Sequence, residues 1–140
     1  MRNIVNQITS QLIRDEGKYY IAYSDSRGIS TIGIGHDLRE PISDTSVNQI
    51  FQDDLATAER ELQADLPWTT SLDDVRYGAL VNLTFNLGIA GLEKFRLMLA
   101  ALIHGDFNEA AAQLLNSAYT DEVGARAQRL ATQIRTGVWQ

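Results

Sequence analysis

The segment DEGKYYIAYSDSRGISTIGIGH, residues 15–36, decides how the N-terminal part of this chain folds. Gly17 follows a helical pattern and is typical of a residue that ends a helix. Two runs rich in aromatic and β-branched residues come next, at 19–23 and 29–34, and the turn-forming cluster SDSRG separates them. This pattern predicts a helix followed by a β-hairpin or a small antiparallel sheet.

Helical patterns account for nearly all the remaining residues. Apolar side chains recur at spacings of three and four before Gly17, which predicts a helix over residues 2–15. Ser43 is suited to cap a long helix that ends at Pro67, and shorter helical segments broken by glycines follow it. Asp106, followed three residues later by Glu109, resembles a capping arrangement at the start of one of these segments, and the last one is predicted from about Gly124 to Arg135.

We therefore predict an α+β fold in which a small N-terminal sheet lobe is joined by a long helix to a helical C-terminal lobe. The chain is expected to form a single domain, residues 1–140. Its predicted parts are a sheet lobe at about 14–43, a connecting helix at about 44–66, and a helical lobe at about 67–140 that includes helix 2–15. A cleft between two such lobes is the expected ligand site.

The composition excludes several classes of protein. Of the 140 residues, 44% are hydrophobic and 21% charged, which is typical of a globular protein and not of a disordered one. The absence of cysteine excludes disulfides and thiolate metal sites, and with two histidines no metal or other cofactor is expected. The net charge of -6 argues against nonspecific nucleic-acid binding, which depends on lysine and arginine contacts to phosphate.

The distribution of apolar residues also bears on location. No apolar run approaches the length of a membrane span, so no membrane insertion is expected. The first residues mix polar and apolar side chains, unlike the unbroken apolar region of a signal peptide. We expect a protein that resides in the cytoplasm of the cell that makes it and needs another factor for export.

Two acidic residues of the opening segment are candidates for chemistry. Glu16 lies at a predicted helix end, and Asp25 lies in the hairpin turn nine positions later. Glycoside hydrolysis needs two carboxyl groups across a cleft, one protonated and one ionised. Acidic residues are common at helix ends and turns, however, so this spacing alone favours a structural role for both.

The surrounding residues change that balance. The pattern DEGxxxxAYxDxxGxxTIGIGH, residues 15–36, closely resembles the catalytic segment of the T4-type phage lysozymes. The resemblance continues in chain order through NLTFNLG (82–88), DFNEAA (106–111), RAQRL (126–130) and RTGVW (135–139), and so covers nearly the whole chain.

The resemblance implies a lysozyme-like fold and a muramidase that cleaves the β-1,4 bond between N-acetylmuramic acid and N-acetylglucosamine in peptidoglycan. By position, Glu16 would be the general acid and Thr31 would help to hold the attacking water. Asp25 would be the carboxylate on the opposite face, where it either steers the water or stabilises the oxocarbenium-like centre. A carboxyl separation of about 6.5–9.5 Å suits inversion, and one of about 5–5.5 Å suits a covalent intermediate. Similarity to the family favours inversion of configuration. By spacing alone, Thr31 reads as an ordinary strand residue.

Further residues match family positions outside the catalytic set. His36 matches a histidine that pairs with an aspartate of the long helix, here Asp54, and this pair is interpreted as structural. Arg126 matches an arginine next to the catalytic glutamate, where it would restrain Glu16 electrostatically. Phe85, Gln113 and Tyr119 match positions that contact the sugar chain or line the helical lobe, although a place in the core or on the surface is the ordinary alternative.

Three departures from the family bear on efficiency. The connection DLREPIS (37–43) is shorter than in familiar members, Met98 stands at a substrate-contacting position that is usually small and polar, and the net charge is acidic. Repulsion from anionic peptidoglycan would slow encounter and make activity sensitive to salt.

Three functions follow as hypotheses. The first is a monomeric phage endolysin that works in the host cytoplasm until a holin lets it reach the wall. The second is a wall-binding module without turnover, and the third is a lytic transglycosylase, which needs only the acid. The presence of Asp25 and Thr31 beside Glu16 favours the first.

Overall fold

The computed structural model of the protein describes residues 4–140, apart from the side chain of Val123. The first two positions of the predicted helix 2–15 lie outside this range. Contacts divide the chain into two compact units, with the boundary between Val47 and Asn48. The predicted lobe boundaries, including the place of the first helix in the helical lobe, stay predictions.

The N-terminal unit contains one helix and a three-stranded antiparallel sheet. Its elements are α1 (Val5–Glu16), β1 (Tyr19–Ser24), β2 (Ser30–Gly33) and β3 (His36–Asp37), and the strand order is β1-β2-β3. Gly17 ends α1 at φ 81°, and its N–H donates to the Ile13 carbonyl at 2.9 Å. The predicted hairpin is thus confirmed, and the helix end lies next to the strand that leads into the turn.

The sheet register is set by a few Cα pairs. Tyr23 lies opposite Thr31 in the β1–β2 pair, and Thr31 lies opposite Asp37 in the β2–β3 pair. Between Tyr19 and Tyr23 the pairing is irregular. Thr31 therefore has a partner on both neighbouring strands and lies on the central strand of the sheet.

The C-terminal unit is helical. The long helix α2 (Asp44–Asp65) leads into it, and a 3-10 turn (Pro67–Ser71) precedes α3 (Asp74–Glu93), α4 (Arg96–Ile103), α5 (Phe107–Leu115) and α6 (Ala118–Thr136). Asp73 and Asp106 cap α3 and α5, each accepting the backbone N–H of the third residue beyond it. A glycine in α3, Gly88, has φ 73° and ψ 164° and so breaks the helical geometry.

The core of this unit lies between α2 and the four shorter helices. Its largest fully buried side chains are apolar, except for one threonine: Leu62, Leu80, Leu83, Leu92, Met98, Leu114, Ile134 and Thr69. Burial of apolar surface on this scale supplies the main stabilisation of the unit.

Arg76 fastens the start of α3 to the end of α6. Its guanidinium donates to the carbonyls of Ile134 and Arg135, at 2.6 and 3.3 Å, and to the Asp73 carboxylate at 2.9 Å. The same group lies 3.6 Å from the centroid of the Phe107 ring. The carbonyls in the last turn of α6, which have no partner within the helix, are thereby satisfied.

The predicted α+β class is confirmed by this small antiparallel sheet and helical body. Within residues 4–140, none of the helices combines the length and the apolar character that a membrane crossing requires.

Candidate active site

Glu16 is the last residue of α1, and its side chain is exposed. Its carboxyl group lies against the backbone of Gly35: a Cβ built on that glycine would be 3.1 Å from Glu16 Oε2 and 3.2 Å from Cδ. The neighbouring Asp15 is different, because its carboxylate is paired with Arg14 at 2.9 Å. The two acids of the helix end therefore have separate surroundings.

Asp25 occupies the turn between β1 and β2, where its side chain organises the backbone. Its Oδ1 atom accepts the N–H groups of Arg27 at 2.8 Å and Ile29 at 2.9 Å. The hydrogen bond from the Ile29 N–H, followed by that from Arg27, lowers the pKa of Asp25 below its usual value, although partial burial opposes the shift. A carboxylate held in this way is ionised at neutral pH.

Thr31 is buried in β2, with 4% of its surface exposed. Its hydroxyl donates to the Ile29 carbonyl at 2.9 Å. Since Ile29 also donates its N–H to Asp25, one residue links the threonine hydroxyl to the aspartate carboxylate. The hydroxyl proton is therefore used in this hydrogen bond, and the lone pairs of the Thr31 hydroxyl oxygen remain available to accept another one.

Tyr23 was missed by the sequence analysis. Burial, followed by the nearby Tyr19 and the negative charges of Glu16 and Asp25, raises the pKa of Tyr23 above its usual value. The ring centroids of Tyr23 and Tyr19 are 4.2 Å apart. The only signal in the sequence was its position, because Tyr23 precedes Asp25 by two residues at the end of β1.

His36 and Asp54 lie in different units. His36 stands on β3, opposite Ile32, and its Nε2 atom is buried with no hydrogen-bond partner among the described residues. Asp54 lies on α2 and lines a cavity of about 230 Å³ within the C-terminal unit. Their pairing stays a prediction.

Arg126 stands on α6 and is held by Asn82 of α3. Its Nε and Nη2 atoms donate to Asn82 Oδ1 at 3.0 and 2.7 Å, and Nη2 also reaches the backbone carbonyl of Asn82 at 3.4 Å. This fork orients the guanidinium rigidly. The electrostatic restraint of Glu16 by Arg126 stays a prediction.

Phe85 is the most exposed of the predicted sugar contacts. Its side chain is 42% exposed, and its ring centroid is 6.0 Å from that of Phe51. Both rings line a cavity of about 540 Å³ in the C-terminal unit, together with Trp139. An exposed aromatic face at the edge of a cavity is suited to packing against a sugar ring.

Gln113 and Tyr119 have different surroundings. The Gln113 amide donates to Glu109 at 2.7 Å, and its side chain lines a cavity of about 270 Å³ beside Met98. Tyr119 is only 4% exposed, and its hydroxyl donates to Asn86 at 3.0 Å. Burial raises the pKa of Tyr119. Substrate contacts by these residues stay predictions, and the burial of Tyr119 gives it a packing role in any case.

The three predicted catalytic residues thus belong to one compact unit. Glu16, Asp25 and Thr31 all lie between positions 4 and 47, and Tyr23 lies opposite Thr31 in the sheet. This arrangement supplies a helix-end carboxyl, an ionised carboxylate and a hydroxyl acceptor. In the part of the chain that the structure describes, no group of three or more histidine or acidic side chains is placed to hold a metal ion.

Comparisons with known proteins agree with these observations. The family model described as phage lysozyme matches residues 14–133. The probable T4-type lysozyme 1 of Dictyostelium discoideum is 26% identical over 164 aligned positions, which cover 96% of each chain. The pre-baseplate central spike protein Gp5 of Enterobacteria phage T4 is 28% identical over 159 positions, covering 93% of this chain and 28% of that protein. The endolysin of Salmonella phage P22 is 35% identical over 100 positions, covering 63% of this chain and 65% of that one.

Proposed function

This chain belongs to the phage lysozyme family, and we propose from this premise that it is a muramidase of bacterial peptidoglycan. Membership supports a lysozyme-type peptidoglycan hydrolase, a glycosidase. The proposed bond is the β-1,4 linkage from N-acetylmuramic acid to N-acetylglucosamine. The observation that carries the proposal is the family match over residues 14–133, which includes the compact unit's Glu16, Asp25 and Thr31.

In the proposed reaction Glu16 is protonated and gives its proton to the glycosidic oxygen as the bond to the anomeric carbon breaks. A water molecule attacks the anomeric carbon from the opposite face. Asp25 receives a proton from this water, so the products are a free hydroxyl group and a new hemiacetal. The lowered pKa of Asp25 supports its role, because a base must be ionised when the substrate arrives.

Thr31 is proposed to help place the attacking water. Its hydroxyl proton is directed to the Ile29 carbonyl, so its oxygen is available to accept a hydrogen bond from that water. Attack by water on the face opposite the leaving group inverts the anomeric configuration, which is the outcome that we propose. A covalent intermediate would instead retain it.

The proposed setting is lysis of a bacterial host. The similar endolysin of phage P22 supports this setting, and a holin would then be the partner that gives the monomeric enzyme access from the host cytoplasm to the wall. The similar baseplate spike protein shows that related sequences also occur in a phage particle component. Hydrolysis of the wall is the proposed activity in either setting.

The proposal is tested with purified protein on isolated sacculi and on chloroform-treated Gram-negative cells. We expect Glu16→Gln to abolish clearing, because the amide has no acidic proton to give, while the thermal unfolding temperature stays near that of the wild type. Asp15→Asn is the matched control, since it removes the same charge from the next residue of the helix end. Clearing by Glu16→Gln, or equal loss in both variants, would contradict the assignment.

The products distinguish the alternatives. Mass spectrometry of digested sacculi should find hydrated reducing ends, whereas a lytic transglycosylase leaves anhydro ends and a wall-binding module leaves the glycan intact. NMR of the first product formed from a soluble β-linked fragment should find the α-anomer if the configuration inverts.

A further inference from the structure

The side chain of Glu16 rests on a glycine from a different part of the N-terminal unit. Gly35 lies in the turn between β2 and β3, where its φ is 74°. The three atoms nearest to a Cβ built at this position all belong to Glu16: Oε2 at 3.1 Å, Cδ at 3.2 Å and Cγ at 3.2 Å. The bare face of Gly35 is thus covered by the carboxyl end of Glu16.

This contact is closer than a side chain at position 35 would allow. Carbon and oxygen atoms that are not bonded to each other prefer separations of about 3.5 Å or more, so a methyl group would move the carboxyl by a few tenths of an ångström. Only the flexible end of Glu16 would have to move, since no backbone atom is among the three nearest. The backbone would therefore keep its fold, but the Glu16 carboxyl oxygen would be displaced from its position against Gly35.

Gly17, the residue after Glu16, also has a close contact at its bare face. A Cβ built on Gly17 would lie 2.5 Å from Cε2 of Tyr19, whose ring packs on Tyr23. Two glycines near Glu16 thus leave room that a side chain would fill: Gly17 admits the Tyr19 ring, and Gly35 admits the Glu16 carboxyl group itself.

We propose that Gly35 is a positioning residue for the proton donor: its lack of a side chain lets the Glu16 carboxyl lie against the turn and fixes where the acidic oxygen points. This role rests on the proposed function, because it acts through Glu16 as the general acid. A donor displaced by part of an ångström keeps its chemistry but loses alignment with the glycosidic oxygen, so the chemical step slows while substrate binding does not change.

The end of β2, two residues before Gly35, offers a matched control. Gly33 has φ 67°, close to that of Gly35, but a Cβ built on it has no described atom within 4 Å. Alanine at either position meets the same backbone strain of a left-handed residue. Only Gly35→Ala adds a contact with Glu16, so the difference between the two variants isolates that contact.

The experiment compares the kinetics of Gly35→Ala and Gly33→Ala on soluble peptidoglycan fragments. Both should lose thermal stability to a similar degree. Gly35→Ala should lower kcat about tenfold more than Gly33→Ala at an unchanged KM, since a displacement of 1 Å costs roughly a hundredfold. Equal kcat in the two variants, with active wild-type enzyme, would overturn the positioning role and leave the proposed function standing.

NMR provides a readout that needs no turnover. The ¹³Cδ resonance of Glu16, identified by its absence in Glu16→Gln, should move in Gly35→Ala and stay in place in Gly33→Ala. The wild-type protein should also show a nuclear Overhauser effect between the Gly35 Hα and Glu16 Hγ protons, which keeps the test available if Gly35→Ala fails to fold. Absence of this effect would overturn the inference, whereas an inactive wild type with the effect present would overturn the proposed function instead.

Discussion

Replacement of Arg76 by alanine should destabilise the C-terminal unit by about 3 kcal/mol. The charged hydrogen bond to Ile134, at 2.6 Å, accounts for about 1.5 kcal/mol, and the longer one to Arg135 adds roughly 0.5 kcal/mol. The contact with the Phe107 ring contributes about 1 kcal/mol, because the side chain is only 14% exposed. The ion pair with Asp73 adds little, since that carboxylate is 43% exposed.

Urea unfolding followed by tryptophan fluorescence measures this loss. Both tryptophans, Trp68 and Trp139, belong to the C-terminal unit, so the signal reports on the part of the chain that Arg76 fastens. The unfolding midpoint should fall while the denaturant slope stays constant, and the thermal midpoint should fall by about 10 °C.

Arg60→Ala is the control for the loss of an arginine. Arg60 is exposed on α2, where a 3.2 Å hydrogen bond joins it to Thr57. Its replacement should cost at most about 0.5 kcal/mol. If the two variants differed by less than about 1 kcal/mol, the stabilising role assigned to Arg76 would be refuted.

Two further predictions concern single groups. The side-chain hydrogen bond from Arg39, followed by the Arg39 backbone N–H, lowers the pKa of Asp37 to about 2 from its ordinary 3.8. Asp37 therefore adds stability that is complete above the ordinary value and is lost as the pH falls towards 2. Arg39→Gln should raise this pKa towards 3.8 in a ¹³C NMR titration, and a value that stays near 2 would contradict the assigned cause. Tyr119→Phe should cost about 1 kcal/mol in urea unfolding, because Asn86 loses its donor, while wall clearing is retained. A loss of activity of about tenfold or more would instead favour a substrate contact by the phenol.

Local signals in the sequence predicted much of the fold. The hairpin, the helix end at Gly17 and the cap at Asp106 each follow from a few neighbouring residues, and each is present in the structure. The start of α6 was predicted at about Gly124 but lies at Ala118. Tyr119 and Thr120 have modest intrinsic helix propensity, so this turn of helix depends on tertiary packing, including the burial of the Tyr119 ring.

The candidate site was predictable to a different extent. Glu16, Asp25 and Thr31 stand in a family motif, which is recognised from residue types and their spacing without any knowledge of distances. Tyr23 and Gly35 were not among the predicted site residues, because their significance depends on which side chains lie next to them in the folded unit. The closeness of position 35 to position 16 depends on how the sheet folds back on the helix end, and no pattern of residue types encodes that distance.

The turn at Asp25 has a consequence for which sequences this site can accept. The carboxylate is held by the backbone N–H groups of positions 27 and 29, at 2.8 and 2.9 Å, and the only side chain of the two that contributes is Arg27, through a longer ion pair at 3.9 Å. Substitutions there are therefore permitted so long as the N–H survives, which bars proline at both positions. A residue inserted or deleted between positions 25 and 27 would shift both donors, and a length change between positions 27 and 29 would shift the second. The number of residues in this loop is therefore constrained more strongly than the identity of their side chains.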